Sequence, residues 1–447
     1  MHKKILSSTG YLAGASLIEK IGAFIIIPIL TTALTVKDYG SLMLAVSYVG
    51  ILMLFIYNGL HSALFRWYSI WKESFDKKVY EKYIFYIVNF IGIVLVSLLI
   101  FIHTQIYNLD DILKIDFTLF IAVLIAGIMT VGYSLRSTIW IIENKAYLNL
   151  VFMLIKTILL VGTIYLFIDQ YAYSITKPII EIILMGCLSL YFIYSYIFKY
   201  PALNSVKLSE IKPVLKDSLV YGWGLQISQI AFWVITSSDR IMLANLTNNE
   251  FVAYYSILMI GITVMFVIVA FNNSFSAYYN KMISDELSMK ETNKYIFVYL
   301  LYGFFAIMVY KLFLYYFSDN IILILSTKEY LVVSSYMYLT SDIILYYFAY
   351  LLFSRYLHAF KMVKAVIFIT IFSALINVGL NYILIQEYGI VGALIGSIVA
   401  YISMAIISFI LMYKKIEFDY MKNLLLLFIG ISIVNFSLDI ILYKGGV

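Results

Sequence analysis

The residues of this chain best placed to do chemistry are charges set inside apolar stretches. Glu19 and Lys20 stand side by side near the middle of the stretch 10–34, and Lys156 lies midway along 148–168. Lys311 and Asp342 fall within 294–318 and 334–358, while Glu181 and the pair Asp239-Arg240 lie toward stretch ends. Arg66, Arg136 and Arg355 also sit at stretch ends. At ~1.5 Å per residue, Lys20 is about 15 Å along its helix, near the centre of a hydrocarbon layer roughly 30 Å thick. A charge at that depth costs at least about 2.5–3.5 kcal/mol, so it is kept where it meets a partner or a polar interior. Glu19 and Lys20 make an imperfect pair, because successive helical residues diverge by about 100°. One of them therefore points into a cavity.

Basic groups lining one cavity suit an anionic ligand. Phosphate and diphosphate are the natural candidates, with lysine acting as a point charge and arginine as a fork. Lys20 and Lys156 are the candidate contacts, and Arg66, Arg136 and Arg355 stand where they would meet the same anion or snorkel to headgroups. Glu19 and Asp342 are the mid-span acids. Asp239-Arg240 reads as a structural ion pair or an interface anchor. Pro28 removes a backbone hydrogen bond from its helix and is a candidate hinge. Ala15, Ser16, Glu19, Gly22 and Ala23 form a small, polar face that suits close helix packing as well as it suits cavity lining.

Membrane helices must carry these residues. The chain has 447 residues, 63% hydrophobic and 13% charged, with a mean hydropathy of +0.95. Soluble domains do not have this composition. Thirteen apolar stretches follow one another at roughly 10–34, 41–60, 84–102, 117–142, 148–168, 178–198, 218–244, 252–279, 294–318, 334–358, 365–385, 390–412 and 423–443. Asn435 and Asp439 interrupt the last. Met1-His2-Lys3-Lys4 before an apolar run resembles a signal peptide, but the run's length and its Glu19-Lys20 point to an uncleaved first span.

With the N-terminus placed in the cytoplasm, the cytoplasmic connections hold 22 Lys and Arg and the outer ones 5. That asymmetry satisfies the positive-inside rule and fits a multi-pass membrane protein. The connections are short, which leaves no room for an external catalytic domain. The sequence holds no GxSxG, P-loop or HExxH motif, and its single Cys187 excludes a disulfide framework. The chain therefore reads as a non-enzyme without cofactor or metal. Basic residues spread along one membrane face make nucleic acid an implausible partner.

The chain also reads as a duplication. A shift of 213 residues brings Lys37-Asp38-Tyr39-Gly40-Ser41 onto Glu250-Phe251-Val252-Ala253-Tyr254. The expected fold is all-α: two six-helix lobes related by a pseudo-twofold axis along the membrane normal, plus one C-terminal helix. The expected parts are residues 1–200, a cytoplasmic linker 201–217, residues 218–412 and the additional helix 413–447.

Four places carry a resemblance to a known family. They are Ile27-Pro28-Ile29 running to Lys37-Asp38-Tyr39-Gly40; Tyr221-Gly222-Trp223-Gly224 with Ser238-Asp239-Arg240-Ile241; Val252-Ala253-Tyr254-Tyr255-Ser256; and Asn377-Val378-Gly379-Leu380-Asn381 leading to Tyr388-Gly389-Ile390-Val391-Gly392-Ala393. In this order the chain resembles the polysaccharide-repeat-unit flippases of the multidrug/oligosaccharidyl-lipid/polysaccharide exporter superfamily. The resemblance implies a MATE-like fold with a V-shaped cavity between lobes. It implies ion-coupled, alternating-access flipping of undecaprenyl-diphosphate-linked oligosaccharides, with Glu19 and Asp342 as the coupling-ion candidates; the alternatives are a cation-coupled multidrug exporter of the same superfamily and a polysaccharide polymerase or glycosyltransferase. Lys20 and Lys156 would hold the diphosphate, and Arg66, Arg136 and Arg355 would draw it in. Membrane lipids, a polysaccharide polymerase and glycosyltransferases would be the partners. Two features depart from the family pattern: Trp223-Gly224 replaces a common Gly-Pro pair, and thirteen spans replace the usual twelve or fourteen.

Overall fold

The computed structural model describes residues 2–57, 59–70, 77–167, 174–200, 208–269, 272, 289–360, 362–413 and 418–442. Among the described residues every regular element is helical and none is a strand. Among the described residues, twelve helices are long and apolar enough to cross a membrane. A helix pairs its backbone groups within the segment, which hydrocarbon requires. The chain is an all-helical, polytopic membrane protein.

Its contacts divide it into two compact units, Met1–Trp233 and Val234–Val447, with the division inside one helix. The first unit begins with α1 (His2–Ala33), which runs through Pro28. Thr31 and Thr32 donate their hydroxyls to the carbonyls of Ile27 and Pro28, at 2.9 and 2.5 Å. Then come α2 (Val36–Tyr57), α3 (Leu60–Ile70) and α4 (Lys77–Phe101), which ends in a widened turn, Ile102–Ile106. The single-turn α5 (Asp110–Leu113) is followed by α6 (Phe117–Met129), α7 (Val131–Ile142), α8 (Tyr147–Phe167) and α9 (Thr176–Tyr194), and α10 (Leu208–Leu246) leads into the second unit.

Small residues set the closest approaches in this unit. A Cβ on Gly22 of α1 would fall 2.5 Å from the Thr157 side chain of α8, and one on Gly14 3.0 Å from Leu150. The small face of α1 therefore splits: Ala15 and Gly22 are packed, while Ser16, Glu19 and Ala23 are exposed. Gly59 has φ +69°, and a Cβ there would lie 2.3 Å from the backbone of Gly222. Two chain segments touch backbone to backbone at this point, which explains a glycine at Gly222 in its sequence motif.

The second unit continues with α11 (Asn249–Leu258), a tighter stretch Met259–Val264, and α12 (Met289–Leu325). A 3-10 segment, Lys328–Leu339, feeds α13 (Thr340–Ala359). Within an apolar 18-residue stretch of Lys328–His358, 83% of the residues are buried, against 17% within those of Gly10–Ala33 and Tyr147–Phe167. Lys328–His358 is the packed centre of its unit, whereas α1 and α8 leave most of their side chains open to the surroundings.

The longest helix, α14 (Val363–Tyr413), breaks at Gly389, where φ is 54° and ψ −122°. Its arms fold back on each other. A Cβ on Gly392 would meet the Leu384 carbonyl oxygen at 2.1 Å, Asn377 Nδ2 reaches Ser397 Oγ at 3.4 Å, and the Ser373 and Ser403 hydroxyls pair at 2.6 Å. The two expected stretches 365–385 and 390–412 are thus the two arms of this hairpin. The last helix is α15 (Phe418–Leu442). Of the expected stretch 252–279, the part beyond 269 lies outside the described residues except for residue 272.

The proposed internal repeat has a counterpart in helix capping. Thr35 caps α2: the Asp38 N–H donates to its hydroxyl at 3.1 Å, and that hydroxyl donates to the Asp38 carboxylate at 2.7 Å. Asn248 caps α11, its Oδ1 accepting from the Phe251 N–H at 3.1 Å. Thr35 and Asn248 are related by the same 213-residue shift, as are Asp38 and Phe251.

Candidate functional site

In the first unit, Lys156 is half-buried and lines a cavity of about 320 Å³. Its walls come from α2, α6, α8 and α9, including Gly50, Met53, Thr130 and Met185. The other charges on the wall are Lys177 and Glu181, one turn apart on α9 and joined at 2.7 Å. Two ammonium groups against one carboxylate leave the cavity positive. Lys156 forms no ion pair with a described residue. A cation on a mostly apolar wall is a ready contact for an anion.

The structure does not bring Lys20 into that cavity. Lys20 and Glu19 are both exposed on α1, and Glu19 lies within electrostatic reach of Tyr133 on α7. Tyr133 in turn stacks on Phe152, with ring centroids 3.9 Å apart.

Arg136 on α7 is engaged by Glu81 of α4, with Nη1 3.1 and 3.2 Å from the two carboxylate oxygens. Glu81 is fully buried and also accepts from the hydroxyls of Tyr196 and Tyr200. This guanidinium is part of a closed network. His61 on α3, outside the candidate spans, meets Thr138 Oγ1 at 2.7 Å, and burial pushes its pKa down. Arg66 lies on α3, but its side chain is outside the described residues.

In the second unit, Arg355 of α13 donates from Nε to Asn272 Oδ1 at 3.0 Å and lies near the hydroxyls of Tyr347 and Tyr350. Asp342 of α13 accepts from Lys311 of α12 at 2.7 Å, and Lys311 also donates to Asn435 Oδ1 of α15 at 2.9 Å. Asp439 of α15 completes the cluster as an ion pair with Lys311. The residues that interrupt the last apolar stretch are therefore the partners of a buried lysine.

Asp239 is 1% exposed. It and Arg240 do not form the ion pair expected from their adjacency. Neighbours on a helix point apart, and Arg240 Nε instead donates to Ser256 Oγ at 3.0 Å. Asp239 accepts from Asn381 Nδ2 at 2.5 Å, from Ser397 Oγ at 2.7 Å and from the Tyr255 hydroxyl. All three donors are neutral. Asn381 Oδ1, in the same centre, has no hydrogen-bond partner among the described residues. A carboxylate buried among neutral donors is suited to holding a proton or a small cation. Sequence reasoning missed this centre, although its signal was present: Asp239, Asn377, Asn381 and Ser397 are polar residues inside apolar stretches.

Comparisons with known proteins bear on this arrangement. A family model described as "Polysaccharide biosynthesis protein" matches residues 5–269. No curated protein matches the chain. Among solved structures, the lipid II flippase MurJ in an inward closed conformation is similar over 95% of this chain and 92% of its own, with a TM-score of 0.63 and 18% identity. A multidrug resistance MATE family transporter of the MOP superfamily, inward-facing, has a TM-score of 0.63 and 15% identity over 91% of this chain and 94% of its own. A MOP superfamily transporter from Pyrococcus furiosus, described by the reverse polarity of its binding pocket, has a TM-score of 0.62 and 15% identity over 92% and 95%. At these identities the likeness is one of fold.

Proposed function

The chain belongs to the polysaccharide biosynthesis protein family, and from that premise we propose that it is a flippase for lipid-linked oligosaccharides. It moves undecaprenyl-diphosphate-linked repeat units across the bacterial cytoplasmic membrane by alternating access between two six-helix lobes, 1–200 and 218–412. The segment 201–217 is the linker and 413–447 adds a helix. The N-terminus is cytoplasmic, and the chain acts as a transporter without enzymatic chemistry of its own. Polysaccharide polymerase and glycosyltransferases are its working partners.

The observation that carries this reading is the positive cavity holding Lys156, which no described carboxylate neutralises. A diphosphate is a dense anion that such a site attracts. Lys20 stands exposed on the helix packed against that of Lys156 and supplies a second contact as the lobe moves. Arg136 serves by shaping its lobe, since its guanidinium is engaged. Arg66 and Arg355 draw the anion in from the cytoplasmic leaflet, and Pro28 provides the hinge. Coupling to an ion runs through a carboxylate; Asp342 and Asp239 are enclosed, whereas Glu19 is open.

The test is a deletion strain complemented with wild type or with the double variant Lys20→Ala/Lys156→Ala. Wild type restores surface polysaccharide, and the double variant accumulates lipid-linked oligosaccharide on the cytoplasmic face at normal protein level. The MATE likeness supports a second reading, a cation-coupled drug exporter. Intact surface polysaccharide in the deletion strain, with drug resistance on overexpression, would establish that reading and overturn the first.

A further inference from the structure

Lys311, Asp342 and Asp439 come from three helices, α12, α13 and α15, and meet in the interior of the second unit. The Lys311 side chain is 0% exposed, that of Asp342 3% and that of Asp439 19%. One ammonium against two carboxylates leaves one negative charge. Neutral groups complete the surroundings. Asn435 of α15 accepts from Lys311, the Tyr338 ring of the 3-10 segment lies 5.8 Å from Nζ, and Tyr346 of α13 faces both acids. Arg355, the next cation on α13, is held elsewhere by Asn272.

An unbalanced carboxylate in a low-dielectric interior is expensive, and two acids sharing one site cannot both ionise cheaply. The two carboxyl groups here contact the same ammonium, Lys311 Nζ, from two different helices. Asp439 Oδ1 contacts the ammonium without hydrogen-bond alignment. We propose that Asp342 and Asp439 share one exchangeable proton beside Lys311, making this cluster the proton-binding site of the protein. A proton fits better than a metal ion. The Lys311 ammonium already occupies the cationic position between the carboxylates, and a proton adds to a carboxyl oxygen without a coordination shell. Asp439 is the more exposed acid and is the point of entry and exit. The last helix is thereby a functional part, since it carries one of the two proton acceptors. As a coupling site the cluster rests on the transport reading above; as a proton site it does not.

The test is infrared difference spectroscopy of the full-length protein in lipid nanodiscs, between neutral and acidic pH. The expected wild-type signal is a carbonyl stretch from one protonated carboxyl that titrates. Asp439→Asn leaves a neutral Lys311–Asp342 pair, and Asp342→Asn leaves a neutral Lys311–Asp439 pair. Each variant should therefore lose that band. Asp239→Asn should keep it, and NaCl substituted for choline chloride should not move it. Survival of the band in either variant, or its displacement by Na+, overturns the proposal. Asp439→Asn is partly solvated and isosteric, so it tests the site even where Asp342→Asn folds poorly. Surface polysaccharide in the deletion strain tests the transport reading separately, and its failure would leave the infrared result standing.

Discussion

Arg136 offers the sharpest separation between binding a substrate and holding the fold. Arg136→Ala removes the guanidinium from Glu81, a carboxylate with no exposed surface. Tyr196 and Tyr200 still donate to it, but hydroxyls do not cancel its charge. Removing one partner of a buried pair costs about 3–5 kcal/mol, because the other charge stays buried. For a unit the size of Met1–Trp233, each kcal/mol shifts the melting temperature by about 2–4 °C. The expected loss is thus on the order of 10 °C, read by size-exclusion chromatography after heating, with lower protein level in cells. Glu81→Gln/Arg136→Gln removes both charges at similar volume, and replacing a buried pair in this way is close to neutral. The double variant should therefore recover both melting temperature and surface polysaccharide. A double variant that is stable but fails to export would mean that Arg136 touches the substrate, and the structural account of this network would be refuted.

Three further outcomes follow from the other centres. Lys156→Ala should cut export roughly 10- to 100-fold, the equivalent of one charge-assisted hydrogen bond of about 1.5–3 kcal/mol, at unchanged protein level, and Lys156→Arg should restore most of it; quantified surface polysaccharide checks both. Gly222→Val should abolish accumulation of folded protein, because a Cβ there meets the Gly59 backbone at 2.7 Å, whereas Gly224→Ala, with open space at its Cβ, should accumulate normally. Asp239→Ala should lower the melting temperature more than Asp239→Asn does. The alanine strands the Asn381, Ser397 and Tyr255 donors at about 1–3 kcal/mol each, while asparagine keeps one acceptor oxygen.

Which helices form was legible from the sequence for a physical reason. Hydropathy along a membrane chain acts locally, so each apolar stretch marks a helix by itself. The break at Gly389 was legible too, since Tyr388-Gly389 separates two apolar stretches that are together too long to be one straight span. The caps Thr35 and Asn248 follow a rule three residues long. Pairing between helices was not legible. Arg136 and Glu81 are 55 residues apart, and Lys311 and Asn435 are 124 apart. Nothing in a window of sequence says which distant polar residue a buried charge will meet. Arg136 therefore reads as a free anion receptor until Glu81 is seen beside it, and Asn435 and Asp439 read as flaws in a span until Lys311 is seen between them.

The same contrast divides the intramembrane charges by role. Arg136, Lys311 and Asp239 are each enclosed by side chains from two or three helices. A ligand entering there would first have to break bonds worth several kcal/mol. Lys156 and Lys20 have no such partners among the described residues and sit on the helices with the least buried surface. An anion proposed to bind there would break no ion pair with a described residue. A proton is the one ligand small enough to enter a closed centre without opening it, and among the described residues the Lys311 cluster alone sets two carboxyl groups on one ammonium, with a residual charge to neutralise. The proposed large anion at the open lysines and the proposed proton at the closed acids need different degrees of enclosure, and the chain offers both.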